Sequence, residues 1–177
     1  MKDVTQKIIV GVDDSEPSKW ALSVAVDLAT ALRAEITLVH IFIPPIAGVS
    51  EVPLPVDEIR DRQRADSIAL LESARRRLPP GSLAKTVVGE GSPPREIIAL
   101  AEQIGASFIV LGTHGRGRLA TFFMGSTTEA VIRGAPCPVV AVSHEPKTLA
   151  AVTRQYVGPT HNVSQTVRDG APNAAVM

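Results

Sequence analysis

Short apolar runs alternate with amphipathic segments between residues 7 and 143. The apolar runs predict five β-strands, at residues 7–13, 35–41, 83–88, 107–111 and 138–143. Between the strands, apolar residues recur at intervals of three and four, which predicts four helices. The first helix follows Ser15, the second runs from about Asp57 to Leu78, the third follows Ser92, and the fourth runs from Thr127 to Arg133.

Capping residues mark the ends of these helices. Ser15 and Ser92 are expected N-caps, and each has a proline in the turn that follows. Gly105 is expected to end the third helix, and the Pro-Pro-Gly run at 79–81 the second. The residues expected to face inward are Ala21, Val24, Ala25, Leu28, Ala29 and Leu32 in the first helix, Ile59, Leu70, Leu71, Ala74 and Leu78 in the second, and Ile97, Ala101 and Ile104 in the third.

This alternation predicts an α/β fold. Short strands that alternate with helices form a parallel sheet covered on both faces, and five such units make an open, doubly wound, Rossmann-like sheet. Ligands of such sheets bind beyond the carboxyl ends of the strands, where the strand order reverses. If the first and fourth strands are neighbours at that point, segments 12–15 and 112–115 face one crevice.

The segment after the fourth strand is rich in glycine and hydroxyl residues. Gly112, Gly115 and Gly117 come first, and Gly125 precedes the fourth helix. Glycines let the backbone approach a ligand, successive N–H groups form an anion nest, and a helix N-terminus attracts phosphate. The segment therefore predicts a phosphate-binding loop, with hydroxyl donors from Ser126, Thr127 and Thr128 and positive charge from Arg116 and Arg118.

A simpler interpretation is that these glycines only shape a tight turn and the hydroxyls only cap the helix. Two glycine clusters around a basic segment favour phosphate binding. The loop is not a Walker A loop, because Arg118-Leu119 stand where Lys and Ser/Thr are required. It is not the dinucleotide fingerprint either, because the first strand ends in Asp13-Asp14 rather than in glycines.

Four blocks of the chain resemble the universal stress protein family. The family's nucleotide signature is similar to one spaced motif of this chain, which reads Gly112-x-x-Gly115, nine further residues, and Gly125-Ser126. KIIVGVDDS and LVHIF resemble its first and second strands, and APCPVVAV resembles its last. The resemblance covers about residues 7–143 and implies the strand order 3-2-1-4-5, with ATP as the ligand.

The resemblance also implies a role for individual residues. Val12 and Ile41 would line the adenine pocket, and Asp13 would contact the ribose side of the nucleotide. Acids at a strand end also cap the next helix, and this remains the alternative for Asp13 and Asp14. Whether Mg²⁺ or Mn²⁺ accompanies the phosphates stays open, because the sequence has no dedicated ligand cluster. Gly112, His114, Gly115 and Arg116 would surround the ribose and phosphates, and Gly125, Ser126 and Thr127 would bind the phosphates.

Composition narrows the class of protein. Lys+Arg and Asp+Glu balance at 18 each, which argues against a nucleic-acid binder. No apolar run approaches the roughly 20 residues of a membrane helix, and the N-terminus lacks the apolar core of a signal peptide. The single Cys137 leaves no internal disulfide, and His40 is interpreted as structural. We expect a cytoplasmic protein with no nucleic-acid or membrane partner.

Two expectations concern the C-terminal part of the chain. Residues 1–145 are the predicted nucleotide-binding domain, and residues 146–177 are a predicted tail, flexible or docked on a partner, because no periodicity is sustained there. The fifth strand carries no charge and would lie at the sheet edge, where a bare apolar strand invites pairing. Together with the resemblance, this predicts a two-fold homodimer through strand five.

These patterns favour an ATP-binding regulatory protein of the stress response. The alternative is a slow ATPase or a nucleotidyl-transferring enzyme on the same fold. Only His114 and Asp13 are candidate bases beside the phosphates, and both have simpler roles. Binding is therefore favoured over turnover, at most weak ATP hydrolysis is expected, and no catalytic residue is assigned.

Overall fold

The computed structural model of the chain describes residues 6–45, 55–113 and 124–146. Within these ranges, strands and helices alternate as the sequence predicts. Their bounds are β1 Lys7–Gly11, α1 Glu16–Leu32, β2 Glu35–Phe42, α2 Val56–Arg75, β3 Ala84–Glu90, α3 Pro93–Ile104, β4 Phe108–Gly112, α4 Ser126–Gly134 and β5 Val139–Val142.

The five strands form one parallel sheet in the order β3-β2-β1-β4-β5. The predicted α/β class and strand order are therefore confirmed. β1 lies between β2 and β4, with Val10 beside Leu38 on one side and Val110 on the other. The strand order reverses at β1, which is the point where doubly wound sheets leave a crevice at the strand ends.

Alternate residues of the strands bury two separate cores, one on each face of the sheet. Successive side chains of a strand point to opposite faces, so one strand can supply both cores. The first core lies on the α1 and α2 side and comprises Ile8, Val10, Val12, Ala21, Leu22, Ala25, Ala34, Ile36, Leu38, Leu71, Ala74, Val110 and Val142. The second core lies on the α3 and α4 side and comprises Ile9, Val39, Ile97, Ala101, Ile109, Leu111 and Val131.

Most of the predicted helix ends are confirmed. Ser15 is the N-cap of α1, and its hydroxyl accepts a hydrogen bond from the backbone N–H of Ser18 at 3.3 Å. Gly105 ends α3 in the left-handed region at φ 64°, where glycine is favoured. Ser92 is the N-cap of α3 by position, but its side chain makes no capping hydrogen bond.

Two details of the helix predictions are wrong. Leu32 was expected to face inward, yet it is 40% exposed. It is the last residue of α1, and Arg33 then turns the chain through the left-handed region at φ 52°. α2 ends at Arg75 rather than near Leu78, because a turn follows in which the N–H of Leu78 donates to the carbonyl of Arg75 at 3.1 Å.

Some features fall outside the described residues. They include residues 114–123 of the glycine-rich segment and residues 147–177 of the predicted tail. Within the ranges described, no helix has the length and apolar character needed to cross a membrane.

Candidate functional site

A crevice of about 550 Å³ opens at the carboxyl ends of β1, β2 and β4. The start of α3 forms one wall through Pro93 and Ile97, and the start of α4 forms another through residues 124–128. Because α3 and α4 both cover the second core, the crevice lies on that face of the sheet. It is the place that the strand order predicts for a ligand.

Seven of the ten predicted site residues line this crevice, although they come from four separate parts of the chain. The remaining three, His114, Gly115 and Arg116, lie outside the described residues. The geometry therefore brings the predicted residues together, and their contact with a ligand stays a prediction. The seven are Val12, Asp13, Ile41, Gly112, Gly125, Ser126 and Thr127.

The end of β1 is held by a compact set of hydrogen bonds. One carboxylate oxygen of Asp13 accepts from the backbone N–H of Ser15 at 2.9 Å and also from the Ser15 hydroxyl. Asp13 therefore supports the N-cap residue Ser15 rather than capping α1 itself, and it lines the crevice as well. The contact with Ser15 fixes the carboxylate at the crevice, and its contact with a ligand stays a prediction.

Ser18 is a structural contributor that sequence reasoning missed. It is buried in the first turn of α1, and its hydroxyl accepts from the Asp13 N–H at 2.9 Å. The same hydroxyl donates to the Gly11 carbonyl at 3.2 Å. Ser18 thus ties the helix to the strand end on both sides of Val12. The only sequence signal was a second serine three residues after the N-cap.

His40 has a defined structural role at the same edge. Its Nδ1 lies 2.6 Å from the carbonyl oxygen of Val12. A carbonyl only accepts, so Nδ1 carries the proton in this bond. The bond holds β2 to the peptide between Val12 and Asp13, which agrees with the structural interpretation of His40.

The start of α4 is tied to the end of β4. The hydroxyl of Thr128 donates to the Gly112 carbonyl at 2.8 Å, and the N–H of Gly125 donates to the Thr113 carbonyl at 2.5 Å. The N–H of Thr113 donates in turn to the carbonyl of Val142 in β5 at 2.9 Å. The Thr128 hydroxyl, expected as a phosphate donor, is therefore engaged with the backbone of β4.

Gly112 allows a close approach between elements of the fold. A Cβ built there would lie 2.6 Å from the backbone carbon of Pro17 and 2.7 Å from the backbone nitrogen of Ser18. Both distances are shorter than real Cβ contacts, and both partners are backbone atoms. The missing side chain lets α1 begin directly against β4. This packing role was not foreseen, since the glycine was assigned to the ligand.

Gly125 is the N-cap of α4, with φ −57° and ψ 144°. Having no side chain, it leaves the first N–H groups of α4 without a side-chain cap. These groups and the positive end of the helix dipole point toward the crevice end that Ser126 and Thr127 line. Glu129 in the first turn would oppose an anion, but it pairs with Arg133 at 2.6 Å.

Among the described lining residues, Asp13 is the only acidic residue, and none is a lysine or an arginine. Within the described ranges, no group of three or more His, Cys, Asp or Glu side chains is placed to hold a metal ion.

Burial raises the pKa of the Cys137 thiol above its ordinary value. This lowers the thiolate fraction and agrees with a small apolar role for Cys137 beside the second core.

Comparisons with known proteins give one consistent family. The model of the universal stress protein family matches residues 5–143. Universal stress protein YxiE of Bacillus subtilis is 32% identical over 144 residues, which is 77% of this chain and 97% of that protein. A universal stress protein of Mycobacterium tuberculosis is 31% identical over 78% of this chain, and the match spans 48% of its own length.

Solved structures agree with the sequence comparisons. UspA from Lactobacillus plantarum is 26% identical, with a TM-score of 0.66 over 77% of this chain and 97% of that one. A universal stress protein in complex with cAMP is 25% identical, with a TM-score of 0.61 over 80% of this chain and 98% of that one.

Proposed function

Because this chain belongs to the universal stress protein family, we propose that it binds an adenine nucleotide, ATP in the cell, and acts through that binding as a regulatory protein of the stress response. The observation that carries the proposal is the crevice at the ends of β1 and β4, on which predicted site residues from four separate segments converge. The solved relative in complex with cAMP supports an adenine nucleotide as the class of ligand.

The two ends of the crevice suit the two ends of a nucleotide. Ile41 and Val12 provide an apolar border for a base, and Asp13 provides an acceptor for ribose hydroxyls. The uncapped start of α4, with the hydroxyls of Ser126 and Thr127, provides donors for phosphate oxygens. A magnesium or manganese ion would enter with the phosphates as part of the ligand.

The phosphate end is tested with Gly125→Val. The backbone of Gly125, at φ −57° and ψ 144°, is accessible to valine, so the change adds bulk at the phosphate end without straining the chain. We expect ATP binding to be lost in titration calorimetry. Ala135→Val is the matched control, because Ala135 has φ −68° and ψ 141° at the opposite end of the same helix. Equal ATP affinity in both folded variants would refute the assignment.

The nucleoside end is tested with Asp13→Ala. We expect weaker binding of AMP and ATP but little change for inorganic tripolyphosphate, because the carboxylate is assigned to the ribose. Asp14→Ala is the matched control, since Asp14 is an exposed neighbour that does not line the crevice. If Asp13→Ala binds AMP as tightly as Asp14→Ala does, Asp13 has only the structural role of holding Ser15.

Turnover separates binding from the enzymatic alternative. The protein is incubated with ATP and Mg²⁺, and the nucleotides are then analysed. We expect retention of ATP through gel filtration with little ADP formed. A rate near the enzyme median of about 10 s⁻¹ would replace the regulatory proposal with an ATPase or nucleotidyl transferase.

We also propose a homodimer in which β5 pairs antiparallel with its copy. β5 is the last strand in the sheet order, so one of its edges has no neighbour within the described sheet. Three of its four residues are half-buried, and Val142 is buried in the first core. An apolar edge strand of this kind is a ready template for a second copy.

A further inference from the structure

Gly89 in β3 lies beside Ile41 in β2. The two residues are partners in the parallel register of the strands. The side chain of Ile41 leans over Gly89, so that a Cβ built on Gly89 would overlap the Ile41 Cδ1 atom and lie 3.6 Å from its Cγ1. The terminal methyl of Ile41 thus occupies the space that a side chain at position 89 would need.

The direction of this lean matters for the crevice. In the sheet, β3 is on the outer side of β2, whereas β1 and the crevice are on the inner side. Ile41 lines the crevice, and Gly89 is not among the described residues that line it. The terminal methyl of Ile41 therefore lies over β3, on the side of β2 that faces away from β1.

The backbone does not explain why position 89 is a glycine. Among the described residues, the glycines with positive φ are Gly81, Gly91 and Gly105. Gly89 is paired within a regular strand, where glycine weakens the strand and often marks a close approach by another group. Here the group that approaches is the tip of Ile41.

We propose that Gly89 is a specificity-determining residue, which sets the width of the base-binding end of the crevice by holding the Ile41 methyl away from it. The inference rests on the proposed nucleotide function and adds to it that the pocket is sized for a purine by a residue that does not touch the ligand. A side chain at position 89 displaces Ile41 toward β1, where the base would lie.

Gly89→Ala tests the inference directly. The obstructing atom is the end of a flexible side chain, so Ile41 rotates and the fold persists. We expect AMP affinity to fall at least about tenfold, which is the scale of one methyl group misplaced in an apolar pocket. Tripolyphosphate affinity should be unchanged, and CMP, which has a smaller base, should lose less affinity than AMP.

Gly134→Ala is the matched control. A Cβ at Gly134 would lie 2.9 Å from the Cδ1 atom of Ile98, so this change also displaces the tip of an isoleucine. Neither Gly134 nor Ile98 is among the described residues that line the crevice. We expect this variant to bind AMP as the wild type does. Equal losses of AMP affinity in the two variants would overturn the inference.

A rescue variant separates steric displacement from general damage to the strand. Ile41→Val removes the Cδ1 atom that obstructs position 89. The double variant Gly89→Ala/Ile41→Val should therefore bind AMP as tightly as Ile41→Val alone. If the double variant remains as weak as Gly89→Ala, the effect does not pass through Ile41 and the inference is wrong.

An NMR measurement on the protein without ligand tests this inference separately from the proposed function. The methyl resonance of Ile41 Cδ1 should shift in Gly89→Ala and stay in place in Gly134→Ala. Unchanged AMP affinity in a Gly89→Ala variant with a shifted methyl resonance overturns the specificity role alone. A wild-type protein that binds neither AMP nor ATP overturns the proposed function and this inference together.

Discussion

The hydrogen bond between Thr128 and Gly112 links α4 to the sheet at the crevice by way of a buried side chain. Thr128 is 4% exposed, and its hydroxyl donates to the Gly112 carbonyl at 2.8 Å. Thr128→Val keeps the shape of the side chain and removes the donor. The half-buried Gly112 carbonyl then loses this partner, which came from a buried side chain.

The expected cost follows from burial. Removing one partner of a buried hydrogen bond costs about 1–3 kcal/mol. For a protein of about 150–250 residues, each kcal/mol lowers Tm by about 2–4 °C. We therefore expect Thr128→Val to lower Tm by several degrees and to lower the urea midpoint with an unchanged m-value, because the folded surface is the same.

Thr30→Val is a matched control within the same chain. The Thr30 hydroxyl donates to the Val26 carbonyl at 2.8 Å, but Thr30 is exposed and the bond lies within α1. Water replaces this donor, so the change should stay within about 0.5 kcal/mol, as is usual for surface substitutions. If the two valine variants have the same free energy of unfolding, the Thr128 bond does not stabilise the site as argued.

Two further predictions concern other parts of the structure. Gly112→Ala should lower the free energy of unfolding by about 1–3 kcal/mol, because its Cβ meets the backbone of α1 rather than a movable side chain; a Tm equal to that of Gly134→Ala would contradict this. Ala141→Lys should dissociate the proposed β5 dimer, as measured by light scattering, because like charges meet near the two-fold axis. Val142→Lys is a poor test, since Val142 is 7% exposed and its replacement damages the core. If the full chain and a chain ending at Glu145 are both monomeric, the dimer is ruled out. If the full chain is monomeric and the shortened chain is dimeric, the tail covers the β5 edge.

The sequence by itself determined the elements and the class of fold. Helix caps and apolar spacing act between residues three or four apart, so Ser15 and Gly105 could be read directly as the ends of α1 and α3. The alternation of strands and helices then predicted a parallel, doubly wound sheet. The glycine and hydroxyl residues near β4 and α4 were predicted from their spacing and Asp13 from its strand end, whereas Val12 and Ile41 were assigned through the family resemblance; all seven described residues line the crevice.

Only the tertiary structure decided what those residues touch. Gly112 was assigned to a ligand, but its missing side chain admits the start of α1, which lies far away along the chain. Thr128 was expected to donate to phosphate, but its hydroxyl reaches back to β4. The pairing of Gly89 with Ile41 depends on the register between β2 and β3, and a shift of one residue would separate them. Contacts of this kind arise from the packing of whole elements, which local spacing does not encode.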